Sequence, residues 1–487
     1  MTIWSLYIWT IATPTLRDRN GNLKGTDFLH FYTLGSLAIA HQGGELYDMD
    51  AQSAMAAQRV PNAADIRYLP LYPPQVSLVF APLAYLSYGC ALALWWLCTA
   101  VIYGACCYAI WRECPNLRDF GGTVALVAIG FPALFHLIAW GQTSALALAC
   151  FTACFLLLRD KREFAAGLAL GCLIFKPQLG LAAAVVFIVS ARWRLVAGAA
   201  FSAAAQIGAG IAYYGVEPLR SWLRTLGAVP ALLPSFEPRP YQTHCLRTFW
   251  SMLVSWSGAA LGLYVVSAIV VLAGTVAIWK HQESLSLKYS ALLLATVLVS
   301  PHLTVYDLVI LAPAILLLTD WLISHPSAPQ GTGTLIYLTC ALPLLGPFTR
   351  WTHIQLSVIV MTALLYLMWR TTSKKDEADV NSAERVGLRV RGEPLLSSLP
   401  EEECQRIRET PCPCGLVMTS TLVDHHLKAA IVQAGAAENV REFADVVDHA
   451  SVPILAPSFR GSRRQKDPLG PLLHGPAVFD YLAIRCP

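Results

Sequence analysis

Charge is scarce in this chain. Asp, Glu, Lys and Arg make up 14% of its 487 residues, against 55% apolar ones, whereas a soluble domain usually carries about 25% charged residues. The shortage excludes a soluble globular protein and predicts an all-α polytopic membrane protein. Up to residue 370 there is also no metal-ligand spacing, no P-loop and no dinucleotide fingerprint, so neither a metal nor a cofactor is expected. The 14 cysteines show no disulfide framework. Cys98, Cys106, Cys107, Cys150, Cys154 and Cys172 lie inside apolar runs, where cysteine behaves as a small hydrophobe. The formal charge of +4 comes mostly from short basic loops and the tail, which is information about topology and not a nucleic-acid signal. A cleavable signal peptide is missing too, because residues 1–13 lack a basic start and a small-residue cleavage pattern. They read as a first span that is a turn or two short of the usual roughly 17–25 residues, which sets the expectation of a native start upstream of Met1.

What is present is a succession of apolar stretches: 1–13, 74–111, 121–139, 143–158, 164–174, 178–190, 195–214, 255–279, 289–299, 304–322, 334–346 and 353–369. They predict about twelve transmembrane or re-entrant helices, or about fourteen if 74–111 crosses three times. The basic loops are Arg112 to Arg118, Arg159 to Arg162, Arg192 to Arg194, Lys280 to Lys288 and Arg370 to Lys375. Placing all of them in the cytoplasm satisfies the positive-inside rule. It sends Trp140-Gly141-Gln142, Lys176-Pro177 and Ser300-Pro301-His302 to the opposite face, with the long loops 14–73 and 215–254. The domain expected is membrane-embedded over 1–370.

Three polar patches then share the outer side. Asp27, just beyond the first apolar run, precedes Phe28-Leu29-His30-Phe31-Tyr32, a run that predicts an amphipathic interfacial helix. Its carboxylate suits a general base, with a solvated loop charge as the alternative. Asp48, Asp50 and Asp65 read as surface charges. Lys176, at a break marked by Pro177, either snorkels or meets an anionic phosphate. His302, with Tyr306 and Asp307 a turn further on, reads either as a buried histidine bonded to Asp307 or as a ligand of a phosphate or sugar hydroxyl. Gln142 reads as helix-helix glue or a site residue. Tyr72, in Tyr72-Pro73-Pro74, marks re-entry into the membrane. His244 and Arg247, with Arg239 and Arg220, give the loop 215–254 a positive face suited to a lipid phosphate. A flippase or transporter for a lipid-linked sugar is the rival class, disfavoured because charges gather at one face and no repeat is evident.

Taken in order, Asp27-Phe28, Tyr72-Pro73-Pro74, Gly141-Gln142, Lys176-Pro177-Gln178 and Ser300-Pro301-His302 with Tyr306-Asp307 resemble glycosyltransferase family 87. The resemblance covers about residues 20–370. It implies a lipid-donor (GT-C type) fold in the plasma (inner) membrane, with its active site on the outer face. It also implies a polyprenyl-phosphate-linked hexose donor, typically mannose, and a glycolipid or cell-envelope glycan acceptor. Asp27 matches the aspartate expected as catalytic base, while Lys176 and His302 match polar positions near the donor phosphate.

From Thr371 the composition turns polar. Residues 371–487 read as a cytosolic, weakly ordered extension that departs from the family. Cys412, Cys414, Asp424, His425, His426 and His449 are metal-ligand types, but in no familiar spacing.

Overall fold

The structure is a computed structural model that describes residues 2–371, apart from 61, 62, 64, 65, 237, 238 and 283. The expectations for the tail and for Asp65 lie outside the described residues. Those residues are helical, and where strands would be there are only two isolated bridges, Arg17 with Leu23 and Thr243 with Thr304. Tyr88–Arg112, Trp193–Tyr214, Ser257–His281 and Val305–Ser324 are long and apolar enough to cross a membrane. A fifth candidate is the pair Pro115–Gly130 and Pro132–Trp140, bent by 49°. The bend has a local cause: Pro132 has no N–H to donate, and it holds Phe131 in extended geometry (φ −64°, ψ 120°). Seven shorter apolar helices accompany these, and together they mark a membrane protein.

The helices share a polarity. Arg159 pairs with Glu113, Arg192 with Glu163 at 3.0 Å, and the Asn116 amide donates to Asp320 at 2.8 Å. The basic loops near 112–118, 159–162 and 192–194 are therefore tied to one another or to neighbouring helix ends at one end of the bundle. The other end of Ser144–Arg159 lies about 24 Å away at about 1.5 Å per residue. Pro177–Val189 and Leu285–Val299 likewise run between a basic loop and one of the polar patches.

Small residues let two of these helices touch backbone to backbone. A Cβ on Gly167 would lie 2.0 Å from the Leu195 carbonyl oxygen, and one on Gly198 would lie 2.2 Å from that of Phe164. This is the close contact by which helices associate in lipid, where burial alone supplies little drive.

One expectation is revised. Thr26–Ile39 is a helix, but Phe28 through Ala38 are all buried, so it is a core element and not an interfacial one. The segments 43–60 and 75–95 wrap it: Phe31 stacks on Phe80 at 4.8 Å, and Tyr32 meets Tyr88 at 5.4 Å. The amphipathic helix sits instead in the 215–254 loop, as Glu217–Phe236. There Trp222 is buried and donates to the Leu71 carbonyl at 2.8 Å, while Leu223 is exposed. Arg220 and Arg224 both pair with Glu217, at 3.5 and 2.5 Å, which reduces the positive face expected of this loop.

Candidate active site

Asp27 stands in the first turn of Thr26–Ile39, where the helix dipole favours a carboxylate. The turn before it is fixed by a left-handed Gly25 (φ 62°). Tyr88 donates to the carbonyls of Lys24 and Gly25 at 2.7 and 2.9 Å, and Tyr68 donates to that of Thr26. Gln142 Nε2 donates to Asp27 Oδ2 at 2.6 Å. Asp27 is partly exposed as a residue, although its carboxyl is deep enough to be desolvated, and Gln142 is buried.

Gly141 makes that contact available. It ends Pro132–Trp140 in the left-handed region (φ 71°), and a Cβ there would lie 2.6 Å from the Cβ of Phe28. Trp95 clamps both partners, donating to the Gly141 carbonyl at 3.0 Å and stacking on Phe28 at 6.2 Å. Gly141→Ala is therefore expected to destabilise the fold by roughly 1–2 kcal/mol from backbone strain alone, with more from the clash. Thermal unfolding of the variant checks both contributions together.

Beside Asp27 lies a buried ion pair. Lys176 follows the turn Cys172–Phe175 and precedes Pro177, the first residue of the next helix. Its ammonium donates to Asp307 Oδ1 at 2.7 Å and to Ser144 Oγ at 3.0 Å, and it lies 5.1 Å from the Tyr306 ring centroid. Ser144 itself donates to the same Asp307 oxygen at 2.5 Å. The other oxygen, Oδ2, accepts from the Thr304 amide and hydroxyl, both at 3.3 Å. Lys176 and Asp307 are each about 4% exposed, so the lysine neither snorkels nor stands open. Its charge is balanced within the protein.

Burial pushes the Asp27 carboxyl up to about 6; Gln142, Lys176 and Arg239 pull it down, and Asp307 pushes it up. A base with that value is mostly ionised at pH 7 and loses function as pH falls through about 6. Transfer should thus rise between pH 5 and 7 with a midpoint near 6, which a pH–rate profile checks. Arg239 is exposed and near enough to act on Asp27.

The remaining expected residues fall into two groups. Tyr72 is partly exposed, packs on Phe31 at 4.8 Å and on His30 at 5.7 Å, and is close enough to Lys176, Asp307 and Asp27 to feel their charges. It belongs with the cluster. His302 is half-buried in the adjoining loop, where Ser300 donates to its carbonyl at 2.9 Å; the Asp307 oxygens are taken by Lys176, Ser144 and Thr304. Arg247 donates through Nε to the Pro301 carbonyl and so braces that loop. His244 is buried, with Nδ1 at 2.7 Å from Ser357 Oγ and its amide donating to Leu303. Burial, with a smaller push from His136, lowers its pKa to about 3, so it brings no positive charge to the loop.

Sequence reading passed over Ser144 and Thr304. Ser144 lies two residues beyond Gly141-Gln142 and opens the next helix, so extending that motif would have reached it. Thr304 forms a capping box with Asp307, and its Thr-x-x-Asp spacing is visible in the sequence.

The described residues thus gather a carboxylate, a balanced ion pair and aromatic rings at one end of the helical bundle. Residues 71–301 match the family model of glycosyltransferase family 87, the family that the sequence resembles, and the match indicates a glycosyltransferase. The matched segment contains Tyr72, Gln142, Lys176, His244 and Arg247, while Asp27, His302, Tyr306 and Asp307 lie outside it. No significant match is found among curated proteins or among solved structures.

Proposed function

We propose that the protein is a hexosyltransferase that moves a sugar, typically mannose, from a polyprenyl-phosphate donor to a lipid or cell-envelope glycan at the non-cytoplasmic face. The observation that carries this reading is Asp27: a residue partly exposed, with one carboxylate oxygen held by Gln142, beside charges that cancel. With Oδ2 occupied, Oδ1 accepts the proton of the acceptor hydroxyl. The hydroxyl oxygen attacks the anomeric carbon, and the bond from that carbon to the phosphate oxygen breaks with its electrons leaving on the phosphate. A single displacement inverts the anomeric configuration.

The departing phosphate needs a cation. Because Lys176 is already matched by Asp307, it holds Asp307 and Tyr306 in place. Arg239, with no hydrogen bond or ion pair to a described side chain, meets the phosphate, and His302 borders the same loop. The outer placement is supported by the basic loops at the opposite end of the helices. The test is transfer of labelled mannose from synthetic polyprenyl-phosphate-mannose to membrane lipids. Label in product is expected. Its absence with mannose and with other hexose donors would sink the transferase reading in favour of a flippase of lipid-linked sugars.

A further inference from the structure

His30 is an anomaly in the core. It lies one turn beyond Asp27 on the same helix, at the i+3 spacing that puts two side chains on one face. It is 4% exposed, yet neither ring nitrogen has a hydrogen-bond partner among the described residues. Buried polar groups are nearly always paired, and an orphan costs stability unless something else fills its place. Gln52 is close enough to exert a hydrogen-bonding pull on the imidazole, although no hydrogen bond forms between them; one N–H of its Nε2 goes to the Leu46 carbonyl at 2.7 Å. Its Oε1, itself unpartnered, can satisfy one imidazole N–H at most. The other nitrogen stays open in either tautomer.

The surroundings match one ligand chemistry. The imidazole lies 4.9 Å from the Tyr68 ring and 5.7 Å from that of Tyr72, and both tyrosines are partly exposed. Burial keeps His30 neutral, its pKa lowered to about 4. A neutral donor and acceptor beside aromatic rings recognise a polyhydroxylated ring, not an anion.

We propose that His30, flanked by Tyr68 and Tyr72 and backed by Gln52, is the acceptor-sugar subsite: it bonds one hydroxyl of the acceptor ring and so presents another to Asp27. This rests on the transferase reading. The ring enters past Tyr68 and Tyr72, displacing one of them from the imidazole and taking over its tilted ring contact.

The test uses the full chain in lipid nanodiscs with octyl mannoside as probe, comparing wild type with His30→Phe. Binding is read as the rise in Tm on adding the probe. Expected is a rise for wild type and none for His30→Phe, whose own Tm is unchanged or higher because the orphan nitrogens are gone. In transfer assays the variant's KM for octyl mannoside should rise about tenfold, as for loss of one good hydrogen bond, with the donor KM unchanged. Equal Tm shifts in both proteins, a shift in neither, or KM values that change together would overturn the proposal. If His30→Phe does not fold, His30→Gln replaces it: a reduced shift supports the subsite, an undiminished one overturns it. Failure of the transferase reading shows separately, as binding without any transfer by wild type.

Discussion

Asp27→Asn is expected to lower transfer by roughly 10²–10⁴-fold, the usual worth of a positioned general base, while leaving the protein folded in the membrane. Asparagine fills the same volume, and its Oδ1 can still accept from Gln142 Nε2, so the 2.6 Å contact survives. What disappears is the capacity to take a proton. The neutral amide also removes a charge whose burial is unfavourable, so the variant's Tm should match or exceed that of wild type. Labelled-sugar transfer in matched membranes, with thermal unfolding of the same samples, checks both parts. Substantial activity in Asp27→Asn would assign the base elsewhere.

The second large effect concerns the Lys176–Asp307 pair. Lys176→Met leaves Asp307 charged and buried, and Asp307→Leu does the same to Lys176. Each is expected to cost about 3–5 kcal/mol, and the double variant should recover part of that, because both charges are gone while Ser144 and Thr304 still lose the acceptor they share. Thermal unfolding of the three variants makes the comparison. Their pH–rate profiles supply a second signature, because Lys176 lowers the Asp27 carboxyl and Asp307 raises it. In Lys176→Met the raising charge remains alone and the acid limb moves above pH 6. In Asp307→Leu it moves below. In the double variant it returns towards 6. Three profiles that coincide would show that the pair is electrically silent at Asp27.

How much of this was legible in the residues depends on the kind of contact. Scarce charge between apolar runs pointed to Asp27, Gln142, Lys176, Tyr306 and Asp307, and they do gather. The basic loops near 112, 159 and 192 were grouped on one face by charge alone, and the ion pairs Arg159–Glu113 and Arg192–Glu163 agree. Pairing was not legible. Nothing in a break at Pro177 says that the lysine before it meets a carboxylate 131 positions later, so His302 looked the better partner for Asp307. Burial was misread at His30 and His244 for a related reason. The alternation of aromatic and polar residues after Asp27 suits an interface as well as a core, and only the wrapping by 43–60 and 75–95 decides between them. Ser144 was reachable only through its neighbours Gly141-Gln142, since a small hydroxyl taken alone is a common helix-packing residue in membranes.

The bend between Pro115–Gly130 and Pro132–Trp140 acts as an aiming device. Nine residues beyond the break at about 1.5 Å each give an arm of roughly 13 Å, and turning it by 49° carries its tip sideways by about 10 Å. At that tip are Gly141 and Gln142. A straight continuation would leave Gln142 far outside hydrogen-bonding distance of Asp27, so the reach of one amide to one carboxylate is set by a proline a full helix away.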